Sequence, residues 1–139
     1  MDDLVQFLRA RLDEDADVAR AAACGEGGGG WEATSDPPMH QAQVCGQPHP
    51  GEYMVPVIVD EFLYLNDHER AAHIARQDPD RVLREVEAKR RALDHYQAVR
   101  THAKGSEPYL LAEGAVRKQI QIMALPYADH PDYQDTWRP

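Results

Sequence analysis

Leu4, Leu8 and Leu12 recur every fourth residue, and Val5, Phe7 and Val18 widen the stripe. This is the period of one helix face. With Asp2 or Asp3 as the cap and Cys24-Gly25 as the stop, it predicts a helix over about 3–23. The next clear pattern is alternation. Val55, Val57 and Val59 interleave with Met54, Pro56 and Ile58, and Phe62 to Leu65 resumes after Asp60-Glu61. An antiparallel hairpin over 53–65 is expected, with Pro56 at an edge or strand start. The alternative is a helix that starts at Phe62 behind an Asp60 cap.

From Asn66 the period turns helical, first in a short helix holding Ala71, Ala72, Ile74 and Ala75. Asp78-Pro79 then restarts the chain as cap and first helical residue. Val82, Val86, Leu93 and Tyr96 fall within about 80° of one another at 100° per residue, which predicts a helix over 79–103. Acid-first pairs Asp80–Arg84, Glu85–Lys89 and Glu87–Arg91 suit its surface. A last helix, about 109–124, takes its apolar side from Leu110, Leu111, Val116, Ile120 and Met123 and stops at Pro126. Tyr127, Tyr133 and Trp137 make the tail too aromatic to be a solvated one. It is expected to fold back on the core, with a turn at His130-Pro131.

Between the first helix and the hairpin lies a stretch of another kind. Residues 25–52 hold Gly27–Gly30 and four prolines, and Val44 is their sole member of the Leu, Ile, Val and Phe set. Such a stretch reads as a flexible loop, with room for a short strand near Trp31. It also depresses the average. Leu, Ile, Val and Phe are 26 of 139 residues, near the level at which chains fail to fold. Outside 25–52 that fraction is ordinary. The fold class expected is α+β and mostly α: a single domain over 1–139, with a helical core (2–23 and 66–138), a minor hairpin and a Gly/Pro-rich loop.

Charge narrows the function classes. The chain is acidic, at -9, and residues 31–66 hold five acids and no Lys or Arg. This disfavours nucleic acid as a partner. No basic, apolar leader is visible and no apolar run is long enough to span a membrane. Two thiols without an export signal suit a reducing cytoplasm.

Candidate chemistry is sparse. Cys24, His40, Cys45 and His49 are the residue types zinc prefers, but their spacing misses the usual templates and suits two incidental thiols better. His68 and His73 stand at i and i+5, one residue off the spacing that lets two histidines share a metal on one helix face. Gly27–Gly30 lacks the Lys-Ser/Thr ending of a phosphate loop. His73, Asp78, Asp129 and His130 form the one set suited to acid–base work. Each also has a structural role open to it: Asp78 as a helix cap, His130 at a turn, and His73 as a half-buried residue bonded to backbone. Lys89 falls within the apolar stripe of 79–103, and with Arg90, Tyr127 and Trp137 it forms the candidate binding set. Its bland alternative is a packed stem with an outward head.

Two blocks are distinctive in wording: His73-Ile74-Ala75-Arg76-Gln77-Asp78-Pro79 running on to Arg91, and Leu125-Pro126-Tyr127-Ala128-Asp129-His130-Pro131-Asp132-Tyr133 followed by Trp137. With the opening run Leu4 to Asp15, they resemble a family of short proteins of actinobacteria and their phages, a domain of unknown function. The resemblance implies a bacterial or phage cytoplasmic protein and assigns no activity.

The function expected is therefore a small cytoplasmic, non-enzymatic binding or regulatory protein. It would act on a protein partner or through self-association, without cofactor or membrane. The alternatives are a metal-dependent or acid–base enzyme using His73, Asp78, Asp129 and His130, and nucleic-acid binding through the basic stretch 84–91.

Overall fold

The computed structural model describes residues 1–24, 28–35, 42–46, 55–58, 68–102 and 106–139. Its elements are α1 (Asp2–Ala23), β1 (Trp31–Ser35), β2 (Ala42–Gly46), β3 (Val55–Ile58), α2 (His68–Arg76), α3 (Pro79–His102) and α4 (Glu107–Ala124). Single 3-10 turns follow at Leu125–Tyr127 and Asp135–Trp137. The class is α+β and mostly α, as expected. The residues divide into two compact units, one of 1–14 with 86–139 and one of 15–85.

In the first unit, α1 carries Leu4, Leu8 and Leu12 inward, each at most 1% exposed. Val86, Leu93 and Tyr96 are the buried stripe of α3, and Ile120 and Ala124 that of α4. Three ion pairs join α1 to α3: Asp2–Arg100 at 2.5 Å, Arg9–Asp94 at 2.7 Å and Asp13–Arg90 at 2.5 Å. One number rises as its partner falls, so the two helices run antiparallel. Arg90 and Arg100 thus reach across to α1. Within helices, Glu87–Arg91 forms as expected. Glu85 instead takes Arg81, so the expected Glu85–Lys89 pair gives way to a basic residue one turn earlier. The expected cap by Asp2 or Asp3 is also replaced. Both lie inside the helix, and the carbonyl of Met1 accepts the first bond, from the N–H of Val5.

In the second unit the sheet has the order β1-β2-β3, antiparallel throughout. Trp31 pairs with Gly46 and Ser35 with Ala42, and the β2–β3 register shifts between Val44 and Cys45. Val44, Ala71 and Ala75 form the buried cluster, against which Trp31, Ala33 and Ile74 pack. The short strand expected near Trp31 is present as β1, and β2 corrects the flexible loop expected over the rest of 25–52. Their pairing supplies bonds that the local composition hides. Of the hairpin expected over 53–65, the strand Val55–Ile58 is present as β3, and it pairs with β2. Its expected partner, Phe62 to Leu65, lies outside the described residues.

Local chemistry holds this unit in detail. Asp78 caps α3 as expected, its Oδ1 accepting the N–H of Arg81 at 2.6 Å. Its Oδ2 lies 3.5 Å from the donating N–H of Trp31. Gly28 has φ of 65°, a left-handed turn that suits glycine, and its carbonyl accepts the indole N–H of Trp31. The carbonyl of Gly29 accepts the N–H of Asp80, and a Cβ at Gly29 would collide with the Asp80 carboxylate. The glycines therefore serve as a close approach to the start of α3.

Candidate functional site

The C-terminal segment closes on Phe7. Tyr127, His130, Tyr133 and Trp137 all stand around that ring, with centroids 5.0–6.4 Å away. Most meet it edge to face, the arrangement the ring quadrupoles favour. Trp137 is buried, so the tail folds back as expected. Arg11 lies over the Phe7 ring and pairs with Glu14 at 3.2 Å. Its guanidinium also donates to His130 Nε2. His130 Nδ1 meanwhile accepts the N–H of Asp132 at 3.1 Å, which fixes the turn before Pro131. A neutral imidazole has one acceptor nitrogen, so the two contacts demand opposite tautomers.

Three of the four candidate binding residues also belong here. Lys89 Nζ lies 5.9 Å from the Tyr127 ring centroid, a cation–π contact that replaces the expected partner Glu85. Trp137 fills the cluster beneath. Arg90, the fourth, is held by Asp13. All four are engaged within the chain.

The other candidates are placed as follows. His73 is exposed on α2, not half-buried as expected. Asp78 is spent on its cap. Asp129 is exposed beside the turn. Cys24 is exposed at the end of α1; Cys45 is buried in β2, its Sγ 3.5 Å from Thr34 Oγ1. His40 and His49 lie outside the described residues, among which no three His, Cys, Asp or Glu side chains gather as a metal site. Nor, among them, is any helix long and apolar enough to cross a membrane.

Two buried hydroxyls in this unit, of Tyr96 and Tyr133, have no hydrogen-bond partner among the described residues. Burial pushes the Tyr96 phenol above its ordinary value, with Arg100 opposing. Asp2 is held below the carboxylate norm by the Arg100 hydrogen bond, and Arg100 is raised in return.

The surface of α4 is unlike any of this. Leu110, Leu111 and Ile122 are 58%, 72% and 51% exposed, and Leu125 just beyond is 40% exposed. Leu111, Ala115, Lys118, Ile122 and Leu125 follow spacings of four, three, four and three, the seam of a helix that packs on another helix. Buried Ile120 and Ala124 lie on the opposite side. Leu111, expected inward, thus forms part of a second apolar stripe, and Leu110, also expected inward, is exposed beside it. Nearby, His95, Ala98, Val99, His102, Tyr109 and Ala112 line an open, apolar groove of about 280 Å³ between α3 and α4. The seam was readable in the sequence by its alternating spacing, but periodicity alone does not say which of two stripes packs inward.

Comparison with curated proteins finds no match, and neither does comparison with solved structures. A family match covers residues 1–139, and the chain belongs to DUF6221, a family of unknown function.

Proposed function

We propose that the protein is a non-enzymatic binding protein that works by protein–protein contact, with the outward face of α4 as the contact surface. The observation that carries this reading is the exposure of Leu111 and Ile122 on one face of α4, continued by Leu125 just beyond it. Large apolar side chains gathered on one surface mark interaction sites. The acid–base alternative draws no support from the same geometry, since Asp78 is a cap and His130 is bound by Arg11 and Asp132. Nor does the basic stretch favour nucleic acid: Arg90 and Arg91 are paired with Asp13 and Glu87. The sparse cysteine content, Cys24 and Cys45 alone, suits the cytoplasm as its compartment.

A photoreactive benzophenone amino acid placed at Leu111 or Ile122 tests the surface in living cells. Discrete protein adducts are expected from both positions and none from Arg91, which is exposed on α3. Equal yields from all three positions would overturn the reading.

A further inference from the structure

We propose that the partner of the α4 surface is a second copy of this chain, docked antiparallel about a two-fold axis between residues 112 and 113. The proposal rests on the reading of α4 as a contact surface. A two-fold interface sets residue i against j of the other copy, and j against i. About this axis, Leu111 faces Gly114 and Glu107 faces Lys118, each pair formed twice by the symmetry. Large thus meets small twice, and acid meets base twice.

Several observations support this register. At 100° per residue, Glu107, Leu111, Gly114, Ala115 and Lys118 fall within about 100° of arc, on the far side from Ile120 and Ala124. Gly114 is exposed, and a Cβ there would touch nothing within 4 Å. A mid-helix glycine costs helix stability, and nothing within the described residues requires this one. A leucine arriving from a second copy would use the room it leaves. Glu107 and Lys118 are exposed and in no ion pair among the described residues. Helix α4 is itself neutral, with Glu107 and Glu113 against Arg117 and Lys118, in a chain of net charge -9. It is thus a place where two copies meet without strong local repulsion.

Sedimentation velocity of the full chain over a concentration series tests the proposal. The expected result is a reversible dimer. Glu107→Lys alone and Lys118→Glu alone each set like charges together twice, and each should weaken the dimer about tenfold or more. Mixing the two variants restores both ion pairs, so a heterodimer of near wild-type affinity should form. Gly114→Leu should weaken it without changing net charge, with circular dichroism confirming that the helices persist. A wild-type chain that stays monomeric at its highest soluble concentration would overturn the proposal. So would a dimer indifferent to both charge reversals, or reversals that mixing does not rescue. A monomeric chain whose Leu111 position still crosslinks to another protein would remove the second copy while leaving α4 as a contact surface. Loss of the crosslink as well would remove both.

Discussion

Residues 1–14 and 86–139 bury Leu4, Leu8, Leu12, Leu93, Tyr96, Ile120 and Trp137, whereas residues 15–85 bury Ala16, Ala19, Val44, Cys45, Ala71 and Ala75. Full burial of a large aliphatic or aromatic side chain contributes roughly 1.5–3 kcal/mol, and each CH₂ about 0.8 kcal/mol. The first unit therefore has area to spare. Among its described residues the second buries smaller side chains, and placed groups join them: the Asp78 cap, the Gly28 turn and the Gly29–Asp80 contact. Among the described residues, the large buried side chains belong mostly to the first unit.

The sharpest way to break this comparison is to remove one side chain from each core. Leu8→Ala should cost about 2–5 kcal/mol, since a fully buried leucine leaves a cavity among tightly packed neighbours. Val44→Ala should cost about 2 kcal/mol, as fewer buried atoms are lost. The two tryptophans report separately, Trp137 in the first unit and Trp31 in the second. Urea titrations of Trp31→Phe and Trp137→Phe backgrounds give each unit its own signal. Equal losses for the two substitutions would show that the cores are not so different.

The same contrast explains how far the sequence could be read. Helices α1, α3 and α4 were legible because large side chains at period 3.6 declare a buried face locally. Asp78-Pro79 declared a cap, and the aromatic tail declared its own burial. Strands β1 and β2 were not legible as a pair. Trp31 to Ser35 and Ala42 to Gly46 are short and polar, and they become strands by pairing with each other rather than by a pattern of their own. The partner of Val55–Ile58 was hidden for the same reason, since β2 carries no alternation that marks it as a strand. Among the candidate site residues, Lys89, Arg90, Tyr127, His130 and Trp137 share one unit, but as one another's structural partners or those of Phe7, Arg11 and Asp13. The α4 seam was visible as spacing and unassigned as a face, because α4 carries apolar residues on two sides.

Tyr96 offers a smaller and pH-dependent test of the large-residue unit. Its ring is fully buried and its hydroxyl has no partner among the described residues. An unpaired buried hydroxyl costs what its removal would recover. Tyr96→Phe should therefore leave stability at pH 7 unchanged or improved, by at most about 1 kcal/mol. The pH dependence has a definite sign. Burial raises the phenol above the ordinary value of 10.0, so the unfolded chain ionises first. Stability from this group is complete below pH 10 and is lost as pH rises through the higher folded value. Thermal melts between pH 8 and 11 should show a shallower alkaline decline in Tyr96→Phe than in the wild type. Parallel declines would mean that the phenol is as readily ionised in the folded state as in the unfolded.

The smallest expected effect separates stability from association within the same unit. Gly114 lies in the interior of α4, exposed and with open space where a Cβ would stand. Within one chain, Gly114→Ala has only benefits. It removes backbone freedom from the unfolded state and adds a good helix former, which should stabilise the monomer by about 0.5–1 kcal/mol. If Leu111 of a second copy packs against this position, the added methyl fills part of the space it needs. Association should then weaken while the helix gains. Chemical denaturation at low concentration, where monomer dominates, reads the first quantity, and a dilution series reads the second. Opposite signs would identify Gly114 as a residue kept for contact at the expense of the helix. Gains in both would mean that this stretch of α4 meets nothing, and would return the case for a contact surface to Ile122 and Leu125 alone.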